Sequence, residues 1–348
     1  MVREIRDAVE FKNIRRIMSA NSADLIRASL ALPRADPTIP LLTRPGWIPA
    51  APIPLDDVPL EWRQHPDADR AEEARSWLTH YWPGSTYSEM VRNLERPSHF
   101  FNGLSYRLVE ADPVLTFTAT RYWDQFDTGE ALQFEAAKEW HRSGTIEGPY
   151  RRWLADPFDL SRRYAIPGVN ALTIRNADTP TFQLMNRRRV AVAMGTTHVV
   201  PAGDFQPSQD YDPRPDQELR LRNTMIREYA EELLGAHEDR TTPVDITRDA
   251  PHAAIYQTFA SGAASAWYLG IGLSPLTWKP EILIACVFDV PAFDQLFAGI
   301  STETAEGELL NDLPFEEETI RHYATSPSTL PAAQACLTLA WDHRKLIT

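Results

Sequence analysis

Cysteine is scarce: Cys286 and Cys336 are the only two among 348 residues. Two thiols cannot build a disulfide framework or a four-cysteine zinc site, and they point to a reducing cytoplasm as the compartment. Positive charge is short as well. Lysine and arginine total 35 against 48 aspartates and glutamates, a net charge of −13. That balance argues against a general nucleic-acid or anionic-membrane binder. An anionic substrate stays open, because a bound cation reverses the sign of a local field. Long apolar runs are missing too: the longest, Glu281-ILIACVF-Asp289, is far too short to span a bilayer. The first residues, MVREIRDAVEFKNIRRIM, are charged throughout and lack the apolar stretch of a signal peptide. No Walker loop, GxSxG, HExxH, Rossmann glycine pattern, repeat or low-complexity tract occurs, and Gly262, Gly270 and Gly272 are too isolated for a phosphate loop. What is present is core-forming material. Hydrophobic residues make up 43% and aromatics 10%, in a chain long enough for two ordinary domains or one large one.

Local patterning divides the chain into residues 1–32, 33–66, 67–165 and 166–348. In 1–32, Ile5, Val9, Ile14, Ile17, Leu25 and Ile26 recur at helical spacing, with Asn21 or Ser22 placed to cap a second helix. Residues 33–66 hold nine prolines, which remove backbone donors and fix φ, so the segment reads as an extended strap packed through residues such as Trp47, Leu55 and Trp62. The region 67–165 reads as an α+β module: a helix from Asp67 to Thr79, strands through Leu104–Leu108 and Val114–Thr120, and a helix over Glu130–His141. A polar link over 156–167 follows. Strands are then expected at Ala171–Arg175, Thr181–Arg187 and Val190–Met194, with a tight turn between Asn176 and Pro180. A long helix is expected from Asp216 to Leu234, stopped by Gly235. The run from Glu281 to Val290 reads as a buried strand, Ser301–Pro314 as an acidic loop, and Leu330–Arg344 as a closing helix.

The helix ending at Gly235 carries the chemistry. Glu228, Glu231 and Glu232 stand at i, i+3 and i+4, which puts three carboxylates on one helical face. Like charges so placed repel, and a hard divalent cation is one reason to keep them. The helix follows HVVPAGDFQPSQ, a strand–glycine–loop element, and precedes the buried strand. Here the chain resembles the Nudix family, whose box reads G-x5-E-x7-R-E-U-x-E-E-x-G-U. Gly203 matches the first glycine, and Arg227, Glu228, Glu231 and Glu232 match the R-E and E-E pairs. Tyr229 stands where an aliphatic residue is usual, and Gly235 falls one place late. The first glutamate of the box is Gln209 here, and Gly203 and Arg227 are 24 positions apart where the family has 14. The resemblance covers about 168–345 and implies an α/β fold, an α/β/α sandwich around a mixed sheet. It further implies Mg²⁺- or Mn²⁺-dependent hydrolysis of a nucleoside diphosphate derivative, with Glu228, Glu231 and Glu232 as metal ligands and Glu231, Glu232 and Arg227 as the catalytic set. In the family the arginine is held by the first glutamate. With Gln209 in that place, Asp210, Asp212 and Asp216 are the candidates to replace it. GLSYRL and RYWDQFDTGEALQFE, within 98–142, resemble the segment that precedes Nudix-like domains in some actinobacterial regulatory proteins.

Around this centre stand weaker candidates. His198 precedes the glycine turn. Arg187 and Arg189, with Arg188 between them, suit a phosphate because guanidinium forks match its oxygens. Glu303, Glu306 and Glu308 sit in the acidic segment as candidates for a general base, and Trp267, Tyr268 and Trp278, which flank a long insertion at 250–280, are candidate stacking surfaces. Two functions compete. One is a cytoplasmic Nudix-type hydrolase of a phosphorylated small molecule. The other is a Nudix-fold nucleotide sensor that does not turn its ligand over. Neither involves nucleic acid or membrane, and a homodimer fits both.

Overall fold

The apolar run at 282–288 organises the fold, because every one of its side chains meets a core. Ile282, Ile284, Cys286 and Phe288 join one hydrophobic cluster, and Leu283, Ala285 and Val287 join another. The period-2 alternation of a strand sends neighbours to opposite faces, so a strand covered on both sides reads as continuously apolar. A computed structural model describes residues 2–30, 36–66, 69–82, 84–97, 100–187, 195–237, 242–304 and 307–348. The expected strand at Val190–Met194 lies outside these residues.

From the N-terminus, α1 (Val2–Ala20) and α2 (Ser22–Ser29) lead into the strap, which contributes β1 (Ile53–Pro54) and β2 (Leu60–Trp62). Asn21 does not cap α2; its amide donates back to the Ile17 carbonyl at 2.8 Å. Helices α3 (Ala71–Leu78) and α4 (Tyr87–Leu94) precede the hairpin of β3 (Leu104–Glu110) and β4 (Leu115–Arg121). Then come α5 (Tyr122–Gln125), a π-helical turn at Phe126–Glu130, α6 (Ala131–Ser143) and α7 (Pro149–Leu154). The second half opens with β5 (Gly168–Asn176), β6 (Thr181–Arg187), β7 (Thr196–Val199) and β8 (Ala202–Asp204). Two short helices follow, α8 (Pro215–Glu218) and α9 (Leu221–Glu228), and a π-helical turn at Tyr229–Leu233. After α10 (His252–Ala260) come β9 (Ala264–Leu273) and β10 (Pro280–Asp289). The chain closes with α11 (Val290–Phe297), β11 (Gly307–Pro314), α12 (Glu317–Thr325), α13 (Pro331–Asp342) and α14 (Arg344–Ile347).

The fold is α/β. The large sheet runs β1-β9-β10-β5-β6-β11, with β8 beside β5 and β7 beside β6. It is mixed: β10 and β5 are parallel, and the other pairs are antiparallel. Helices α12 and α13 cover one face. The other face shares its core with α9, α10 and the N-terminal helices, in a cluster that includes Phe11, Phe134, Val169, Met225 and Ile284. A small sheet, β2-β4-β3, joins the large one through Tyr106 N–H to Phe205 O at 3.0 Å and Leu108 N–H to Ala165 O at 2.8 Å.

Three expectations are corrected. The segment 250–280, read as an insertion, contains β9, a ten-residue strand next to the centre of the sheet. The acidic stretch 301–314 is a loop only in its first part, because Gly307–Pro314 forms edge strand β11. The helix expected over 216–234 is interrupted at Leu219–Arg220, where Arg220 adopts an extended conformation. The strap lies along β9: Leu42 and Leu273 exchange backbone hydrogen bonds of 2.9 and 2.8 Å. Gly270 and Gly272 allow that approach, since a Cβ on Gly272 would sit 2.7 Å from Leu41 Cβ.

Candidate functional site

The interruption at Leu219–Arg220 assembles the first part of the site. In a continuous helix Glu218 would lie about 13 Å along the axis from Arg227. The break folds α8 back, and Glu218 Oε2 meets Arg227 Nη1 at 3.1 Å, with both side chains less than a tenth exposed. Ser208 Oγ donates to the other oxygen, Glu218 Oε1, at 2.9 Å. The guanidinium also donates to Thr224 Oγ1 at 3.1 Å and to the Gln206 carbonyl. Arg227 is thus wholly occupied with its own chain and positions the helix from inside. The expected replacements for the missing glutamate do not do this work. Asp212 accepts from Arg214 N–H at 3.0 Å, Asp210 accepts from Leu104 N–H at 2.7 Å, and Asp216 is exposed. Gln209 is buried and pairs with neither Arg227 nor Glu218.

The box carboxylates meet β8. A Cβ on Gly203 would fall 2.1 Å from the carboxyl carbon of Glu228, so the absent side chain is the space the carboxylate occupies. One residue earlier, Ala202 N–H donates to Glu232 Oε1 at 3.0 Å. The π-helical turn adds a residue to the helical repeat, and the rule that places i, i+3 and i+4 on one face lapses there. Among the described residues, no group of three or more His, Cys, Asp or Glu side chains is disposed to hold a metal ion. Of the three expected carboxylates, Glu228 and Glu232 are the ones seen against β8, at Gly203 and Ala202. Mg²⁺ takes one or two carboxylates and completes its shell with water and phosphate oxygens, so the hard oxygens of Glu228 and Glu232 suit it as a pair. Tyr229 fits its unusual place through its hydroxyl, 2.6 Å from Thr173 Oγ1. Thr173 gives its one proton to the Val200 carbonyl at 2.7 Å, so Tyr229 is the donor in that pair.

His198 and Arg187 belong to a different place. With Asp204, Lys279 and Glu281 they line a cavity of about 350 Å³. Its far wall comes from the N-terminal module, through Tyr122, Glu130 and Gln133. The box carboxylates do not line it. The two places adjoin along β8: Gly203, which faces Glu228, also lines the cavity, and Asp204 pairs with Lys279 Nζ at 2.6 Å. Burial works against the lysine's charge, but Asp204, Glu281 and that hydrogen bond outweigh it and raise its pKa. Glu281 Oε2 accepts from Asn170 Nδ2 at 2.9 Å and packs against the bare Cα of Gly168; burial pushes its pKa up. Glu130 is likewise pushed up by burial, although Arg15 at 2.9 Å and Tyr87 at 3.1 Å both donate to it. His198 is 7% exposed, and burial, then Arg187 and Lys279, hold its imidazole well below the ordinary 6.5. Its Nδ1 has no hydrogen-bond partner among the described residues.

The remaining candidates lie elsewhere. Arg188, Arg189 and Glu306 are outside the described residues. Glu303 and Glu308 pair as a β-bridge beside edge strand β11. Trp278 is buried between Arg151 and Arg163, whose guanidinium carbons stand 4.9 and 5.6 Å from its ring. Tyr268 and Trp267 pack in the two cores. Sequence reading missed Glu218, Asp204, Lys279 and Glu281. A signal for Glu218 existed: Leu219 and Leu221 are both buried, and residues two apart do not share a helical face.

No family model matches the chain, and a search of curated proteins finds no match. Among solved structures the chain is similar to the crystal structure of a Nudix hydrolase from M. Smegmatis, RenU, at 12% identity. That alignment covers 52% of this chain and 88% of the other, with a TM-score of 0.26.

Proposed function

We propose that the protein is a Nudix-type hydrolase that cleaves the diphosphate linkage of a nucleoside diphosphate derivative or related phosphorylated small molecule. The observation that carries this reading is the Arg227–Glu218 pair. It supplies from a new position the support that the box lost with Gln209, so the metal-binding half keeps its anchor. Glu228 and Glu232 would hold Mg²⁺ or Mn²⁺ against β8. The ion, when bound, neutralises phosphate charge and acidifies an attacking water. Glu231, which lies within the π-helical turn, is the carboxylate assigned to take the proton from that water. Arg227 keeps the helix in place and does not touch substrate.

A panel of nucleotide sugars, ADP-ribose and dinucleoside polyphosphates with Mg²⁺, read by phosphate release after phosphatase treatment, tests the proposal. The expected outcome is turnover of at least one class, abolished by Glu232→Gln. A second reading, a nucleotide sensor without turnover, is favoured by one observation: the cavity at His198 is separate from the box carboxylates. Nucleotide binding with no metal-dependent turnover of any panel member would select it.

A further inference from the structure

The N-terminus of α13 opens into the cavity at Leu330, Pro331 and Ala332, and no side chain caps it. The first-turn N–H groups of a helix have no intrahelical partner, and the helix dipole makes that end attractive to anions. The strands bring further donors to the same place. Arg187 pairs with Thr196 across β6 and β7, and Thr197 bridges to Thr329 just before α13. Leu330 N–H donates to Thr197 O at 2.9 Å, which seats His198 beside the helix start. His198 is nine-tenths buried, and its Nδ1 is unpartnered among the described residues. A buried polar atom left in this way is costly unless something satisfies it. Oxygen acceptors line the same cavity: Asp204, which holds Lys279 Nζ at 2.6 Å, and Glu281 offer carboxylate oxygens, and Gln133 offers an amide.

We propose that this cavity binds a small polyhydroxylated anion. Its anionic group would lie at the α13 N-terminus with Arg187 and His198, and its hydroxyl groups would face the Asp204–Lys279 pair, Glu281 and Gln133. A sugar acid and a sugar phosphate share this chemistry. The volume of about 350 Å³ is within the range of small-ligand sites. Because Tyr122 and Gln133 come from the N-terminal module, an occupant touches both halves of the chain.

Titration calorimetry of the full chain in EDTA tests the site with gluconate, ribose 5-phosphate, ribose and inorganic phosphate. The expected result is saturable binding of gluconate or ribose 5-phosphate, and whichever binds identifies the anionic group. Ribose and inorganic phosphate should bind about tenfold more weakly, since each lacks half of the recognised groups. Arg187→Gln should weaken binding by about tenfold or more, the worth of a lost charge-assisted hydrogen bond. Gln133→Leu, at a half-buried wall position that does not threaten folding, should weaken it as well. The proposal is overturned if neither anion binds, if inorganic phosphate binds as tightly as either, or if both variants bind like the wild type. Binding that appears only when Mg²⁺ replaces EDTA would place the ligand at the box and also overturn it.

Discussion

Gly203 acts through what it lacks. Its bare Cα makes the space for the Glu228 carboxylate, and a methyl group there would lie 2.1 Å from the carboxyl carbon. Gly203→Ala should cost about 1–3 kcal/mol, the usual range for overpacking, and should displace Glu228. Gly235→Ala makes a useful contrast. Nothing lies within 4 Å of its Cβ position, but its φ is +67°, so the expected cost is backbone strain of about 1 kcal/mol. Urea unfolding of both variants checks the pair, and only Gly203→Ala should also weaken metal binding. The Arg227–Glu218 pair calls for a different design. Glu218→Gln leaves a buried guanidinium without its counter-charge, and should cost about 3–5 kcal/mol. The double variant Arg227→Met, Glu218→Leu should recover much of that stability while losing activity. At this scale the sequence was legible where a motif names its residues, as with Gly203, Arg227 and Glu228. It was faint where a partner comes from a backbone break, as with Glu218, because QELRLRN holds neither glycine nor proline and only the spacing of Leu219 and Leu221 breaks the helical pattern.

At the scale of elements, legibility followed burial. β10 announces itself because it is covered on both faces, and the Asn176–Pro180 turn because its residues favour turns. β9 hides because Gly270 and Gly272 interrupt its pattern. Glycine is depleted in strands, yet here it lets the strap approach. β11 hides because it is an edge strand with Glu308 and Asp312 in it, and charge on an edge discourages pairing with other chains. The strap itself supplies a prediction. Leu41 is fully buried against β9 and the second core. Leu41→Ala should cost about 2–5 kcal/mol, the range for such truncations in a packed core. Limited proteolysis of the wild type should spare 36–66 until the fold opens, and early cuts there would contradict the packing described.

Three ionisable groups shifted by burial, His198, Glu130 and Glu281, line the cavity between the N-terminal module and the large sheet. His198 is held neutral there by burial and by Arg187 and Lys279. Its folded pKa lies below the ordinary 6.5, so the unfolded chain binds the extra proton first as pH falls. Its contribution to stability is therefore complete above about pH 6.5 and declines as pH drops below it. His252 shifts in the same direction. Glu130 and Glu281, with raised pKa values, act oppositely: they favour the folded state at low pH and lose that contribution as pH rises through their folded values. The clean test is a difference. The loss of stability of the wild type between about pH 7 and pH 5.5 should exceed that of His198→Gln, by no more than about 1.4 kcal/mol per pH unit. Equal losses would remove His198 from the account. The α/β class was readable in advance, because the resemblance carried by Gly203 and the helix ending at Gly235 implied it. The cavity was not, because Arg187, His198, Lys279 and the start of α13 are distant in sequence and meet only through the register of β6, β7 and β10.

The central claim is that the box survives with Glu228 and Glu232 as its working metal pair, anchored through Arg227 and Glu218. Calorimetric titration of Mn²⁺ into the wild type and into Glu228→Gln, Glu232→Gln and Glu231→Gln tests it most directly. The account predicts saturable binding by the wild type. It predicts a loss of about 10–100-fold or more in Glu228→Gln and Glu232→Gln, at least the range seen when a ligand merely loses its support. Glu231→Gln should bind Mn²⁺ nearly as the wild type does. Absence of wild-type binding, or equal losses in all three variants, would contradict it.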